Sequence, residues 1–117
     1  MNKVSNINFQ VELDENRVPT KIEWEATDAG FEGKKECSSM MIALWDTAEK
    51  VTFGLDLWTK DMLVYDLNKH FHQVFLKMAD TYLRATKNSE IADMINNFSA
   101  DFLERINAEA QNEEKLS

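Results

Sequence analysis

The spacing of apolar residues changes once along this chain, and that change dictates the order of its parts. Up to Leu57 apolar residues recur at every second position; after Trp58 they recur at every third and fourth. The first period belongs to strands with one wet face and the second to amphipathic helices. In the first stretch Ile7, Phe9, Val11 and Leu13 alternate with Asn8, Gln10 and Glu12. "DENRVP" follows, where Asp14 and Asn16 can bond the local backbone and Pro19 opens a second strand. There Ile22, Trp24 and Ala26 oppose Glu23 and Glu25.

The segment Thr27–Glu36 holds two of the three glycines and no apolar period, so it reads as the longest loop. "CSSMMIALW" is ambiguous on its own. As a strand it sets Met40, Ile42 and Leu44 against Cys37, Ser39, Met41, Ala43 and Trp45; as a helix it would cluster Met41, Leu44 and Trp45. The strand is preferred, because "DTAEK" has the length of a hairpin loop and Val51 opens an evident strand through Phe53, Leu55 and Leu57. Beyond Trp58, Thr59 or Asp61 can cap a helix carrying Leu63, Leu67, Phe71, Val74, Phe75, Met78 and Tyr82 to about Ala85. "TKNS" breaks it. Ser89 then caps a second helix with Ile91, Met94, Ile95, Phe98, Phe102 and Ile106 on one stripe.

Strands followed by helices imply an α+β class. The expectation is a four-stranded antiparallel sheet with two C-terminal helices packed on one face. They would cover Phe9, Val11, Ile22, Trp24, Ile42, Leu44, Phe53 and Leu55. A chain of 117 residues suits a single domain, 1–117, with 107–117 a frayed polar tail.

The other face of such a sheet should be polar. It is so on the first two strands, but Met41, Ala43, Trp45 and Trp58 share it on the last two. Trp and Met are enriched where proteins meet, and a contiguous apolar patch marks a binding surface. Met41, Trp45 and Trp58, with Phe31 nearby, are therefore the candidate partner-binding residues. Two plainer readings stand beside this one: the loop bearing Phe31 folds over these side chains, or the helices straddle an edge and cover them.

Charge and motif content argue against several function classes. The net charge is −8, and the Lys and Arg residues are scattered with only Lys34–Lys35 adjacent, which disfavours nucleic acid and anionic membranes. His70 and His72 are two apart and cannot chelate one metal from a helix. Cys37, the one cysteine, lacks a nucleophile signature and fits a reducing compartment. Glu23 and Glu25 lie on a wet face with no implied cleft. No phosphate loop or calcium loop is present, and no cofactor, metal or enzyme activity is indicated. The first twenty residues contain no continuous apolar run, so no secretory leader or membrane anchor is expected and the default location is cytoplasmic.

Taken together, "INFQVELDENRVPTKIEWEATDAG", "KEC", "LWD", "LDLWTKDM" and "FHQVFLKMADTYLRAT" resemble the GldC family of gliding motility-associated proteins, from about Ile7 to Phe102. The resemblance implies a small non-catalytic accessory protein of bacterial gliding. It would bind other motility components, be peripheral to the inner membrane through a partner, and have no cofactor or catalytic residues. A homo-oligomer is compatible with it. The order of elements is also that of the protein-export chaperone SecB. That layout raises an alternative, a SecB-like binder of unfolded or envelope proteins; fold alone does not carry function.

Overall fold

The computed structural model describes residues 2–116, with side chains described for 2–110. Five strands and two helices follow in order: β1 (Ile7–Leu13), β2 (Pro19–Ala26), β3 (Lys35–Cys37), β4 (Ser39–Trp45), β5 (Thr52–Trp58), α1 (Val64–Thr86) and α2 (Ser89–Leu116). The α+β class, the antiparallel strands and the two C-terminal helices agree with expectation. The single four-stranded sheet does not. The strands form a three-stranded sheet in the order β1-β2-β3 and a separate two-stranded sheet, β4-β5.

The division falls at Ser38, inside what the sequence presents as one strand. Cys37 pairs with Ile22 and Lys35 with Trp24, whereas Ser39 already pairs with Trp58. The chain bends at Ser38, whose carbonyl accepts the Thr59 N–H at 2.9 Å. A segment that reads as one strand thus changes partner near its start. The long loop correspondingly ends at Lys34 rather than Glu36.

Two compact units make up the chain, Met1–Met62 and Leu63–Ser117. In the first, β1 and β2 pair so that Phe9 lies opposite Trp24 and Val11 opposite Ile22. Their connection is held by Asp14, whose Oδ1 accepts the N–H groups of Asn16 (2.8 Å) and Val18 (3.0 Å), while Arg17 takes a left-handed φ of 64°. Ile22, central on the middle strand, is buried, as is Met40.

In the second unit the two helices meet around Phe75. Its ring lies edge-on to Phe98 and Phe102 at centroid distances of 5.1 and 5.2 Å, a favoured aromatic geometry. Ala79, Ala92 and Ser99 are buried in the same unit, and the Ser99 hydroxyl donates to the His72 carbonyl at 3.4 Å. Small residues there allow the helices close approach. The helix starts differ from expectation. Leu63, in extended conformation and without a side-chain cap bond, precedes α1. Thr59 is instead drawn into a turn, its carbonyl accepting the Met62 N–H. Asn88, rather than Ser89, caps α2 by accepting the Ile91 N–H at 3.2 Å. The polar tail expected over 107–117 falls in the last turns of α2, and its side chains beyond 110 lie outside the described residues.

Candidate protein-binding surface

The β4–β5 register assigns every side chain of that hairpin to a face, because residues directly opposite in an antiparallel pair share one. Ser39 pairs with Trp58, Met41 with Asp56, Ala43 with Gly54 and Trp45 with Thr52. Met41, Trp45 and Trp58 therefore share one face, and Trp45 and Trp58 are 63% and 58% exposed. Met41 is half-buried. The indoles stand at opposite ends of the hairpin, six ladder positions apart, or roughly 20 Å. Ala43, Gly54 and Asp56 stand between them, so this is two anchors on a ribbon and not one continuous patch.

Trp58 borders a small cleft of about 230 Å³ lined also by Arg17, Val18, Pro19, Asp56 and Leu57. Trp45 is beside the β4–β5 turn, which Asp46 closes by accepting the Glu49 N–H at 2.6 Å. Phe31 lies in the loop before β3. It packs edge-on against Trp24 at 5.2 Å, with the Lys35 ammonium 5.2 Å above its ring. Among the described residues, no aromatic pair links Phe31 to either exposed indole.

The other face of the hairpin carries Met40, Ile42, Leu44, Phe53, Leu55 and Leu57. With Ile7 and Phe9 of β1, Ile42, Leu44, Phe53 and Leu55 line an open, almost wholly apolar groove of about 490 Å³. Periodicity assigns these residues to the interior, yet Ile7, Phe9, Leu44, Phe53 and Leu55 are all exposed. A second recess of about 410 Å³ adjoins it, sharing Ile7, Phe9 and Ile42 and bordered by Trp24, Cys37 and Met40. This surface is the feature that sequence reasoning missed. Alternation locates the apolar face, but no residue spacing states whether another element lies over it.

The candidate chemistry is sparse. Burial, reinforced by the neighbouring Glu36 carboxylate, pushes the Cys37 thiol above its ordinary range, the opposite of an activated nucleophile. The His70 Nε2 atom and the Thr59 hydroxyl are buried without hydrogen-bond partners among the described residues. No group of three or more His, Cys, Asp or Glu side chains suited to a metal ion occurs among those residues, and none of their helices is long and apolar enough to cross a membrane.

A family model described as gliding motility-associated protein GldC-like matches residues 19–108. The chain belongs to the GldC-like family. The matched span of this GldC-like protein begins at the first residue of β2, so Phe31, Met41, Trp45 and Trp58 lie inside it and β1 outside. No curated protein and no solved structure matches the chain.

Proposed function

We propose that this GldC-like protein is a non-catalytic accessory adaptor of bacterial gliding that works by holding a protein partner. The β4–β5 ribbon supplies the contact, with Trp45 and Trp58 as anchors and Met41 between them, and Phe31, packed on Trp24, adds to it from the loop before β3. The exposure of both indoles on one face carries this reading. Buried Trp anchors typically dominate the binding energy of an interface, each being worth about 2 kcal/mol or more on truncation. In this reading the protein acts in the cytoplasm and reaches the inner membrane through its partner, which is another component of the motility machinery.

Complementation tests this. In a gliding bacterium lacking the gene, the Trp45→Lys/Trp58→Lys double variant accumulates to normal levels but does not restore spreading. Full spreading by that variant would overturn the assignment of the indole face.

The apolar groove supports a second reading, a SecB-like binder of unfolded chains, because Leu44, Phe53 and Leu55 lie open and continuous. That reading predicts promiscuous capture of apolar peptides, lost in Leu44→Lys/Phe53→Lys and kept in the indole double variant. A peptide array with both variants separates the two mechanisms.

A further inference from the structure

We propose that two copies of this chain pair through β1, antiparallel about a two-fold axis at Gln10, joining two three-stranded sheets into one of six strands. β1 lies at the outer edge of its sheet, with β2 its sole strand partner among the described residues. Just before the strand, Asn6 and Thr27 are bonded: the Thr27 N–H donates to the Asn6 carbonyl at 3.0 Å, and the Asn6 N–H to Thr27 Oγ1 at 3.0 Å. Hydrogen-bonded and non-bonded pairs alternate along an antiparallel ladder. Counting from Asn6, residues Asn8, Gln10 and Glu12 direct their backbone groups toward β2. Ile7, Phe9 and Val11 direct theirs outward, on the side where β1 has no strand neighbour among the described residues.

Natural sheets blunt such edges with proline, inward charge, lysine or a bulge on the edge strand. β1 has no proline and no lysine, and Glu12 is its one charged residue. Its single irregularity, between Glu12 and Leu13, places the extra residue on β2, because Glu12 pairs with Lys21 and Leu13 with Pro19. The edge strand itself stays regular over its whole length.

The side chains select the partner. A second β1 centred on Gln10 sets Phe9 against Val11 and Ile7 against Leu13 of the other copy, which are the residues whose backbone groups point outward. It engages the full seven-residue strand and keeps all four apolar side chains on one face. Ile7, 64% exposed, then gains Leu13, itself exposed, as a neighbour in each half. On the wet face Glu12 falls opposite Asn8, so the two carboxylates never meet; like charges directly opposite would be destabilising. Gln10, whose Oε1 accepts from Lys34 Nζ at 2.6 Å, meets its own copy at the axis. One strand thus satisfies at once its own backbone, its apolar face and its charge pattern.

The experiment is site-directed disulfide trapping on the full chain in a Cys37→Ser background, alongside sedimentation equilibrium. Gln10 and its symmetry mate would form a non-hydrogen-bonded pair with Cα atoms about 4.5 Å apart, within disulfide reach. Gln10→Cys therefore oxidises to a covalent dimer. Asn8→Cys and Glu12→Cys alone do not, whereas their equimolar mixture does. Phe9→Pro removes an outward N–H without touching the β2 ladder and weakens the dimer at least about a hundredfold. A full chain that stays monomeric at about 500 μM, or a dimer that Gln10→Cys fails to trap, overturns the proposal. The trapping result stands whether or not Phe9→Pro folds.

Discussion

The central strand β2 and the strand β5 are built from the same alternation and end in different environments. In β1–β2 the central strand has a neighbour on each edge, and Ile22 on it is 0% exposed. In β4–β5 no third strand is added among the described residues, and Leu55, equally apolar and on an equally regular strand, is 51% exposed. Alternation therefore encodes which side chains share a face. Burial depends on the neighbour, and past the bend at Ser38 the chain pairs with β5 and no longer with β2. The hairpin left without a third strand is the one that bears the exposed indoles and the apolar groove.

The widest expected gap between the hairpins is in stability. Ile22→Ala should cost about 2–5 kcal/mol, the usual range for an Ile truncated in a packed interior. Leu55→Ala should cost less than about 1 kcal/mol, because half of its side chain already faces water. Urea denaturation of both variants measures the difference. Equal losses would show that the β4–β5 face is covered in solution and would remove the contrast.

A smaller effect sharpens the comparison at the turns. The Asp14 carboxyl in the β1–β2 connection is held below its ordinary value of 3.8, chiefly by the Val18 N–H, then by the Lys60 ammonium and the Asn16 N–H, with desolvation opposing. The Lys60 Nζ lies 3.2 Å from Asp14 Oδ2. A carboxylate with a depressed folded pKa adds stability that is present above its unfolded value and disappears as pH falls through the folded one. Native stability should therefore decline below about pH 3.8 partly through this group, and Asp14→Asn should flatten that part of the acid limb. Because Asp14 sits at the surface, the change is modest and appears as a shift in the urea midpoint between about pH 5 and pH 2. An unchanged acid limb in Asp14→Asn would mean that the fold does not favour the ionised form of Asp14.

Much of this was readable from residue spacing. β1, β2 and β5 announce themselves by strict alternation, and α1 and α2 by their three-and-four stripes. The bend at Ser38 was not readable, because "CSSMMIALW" can be read as a single strand and a change of partner leaves no trace in residue spacing. Leu63 before α1 carries no capping signal, and Asn88 and Ser89 are adjacent residues of equal capping ability. Within the candidate site, parity alone placed Met41, Trp45 and Trp58 on one face, as the β4–β5 register shows. The packing of Phe31 on Trp24 depends on how an irregular loop folds, which no repeat encodes. The openness of the Leu44–Phe53–Leu55 face is a property of what lies beside it and not of its own residues.

The central claim is that Trp45 and Trp58 serve recognition and not the interior, and the unfolding free energy of the Trp45→Lys/Trp58→Lys double variant tests it most directly. Two exposed indoles exchanged for lysines should leave that free energy within about 1 kcal/mol of the parent chain. A loss of about 3–5 kcal/mol per indole, the range for Trp removed from a core, would contradict the account.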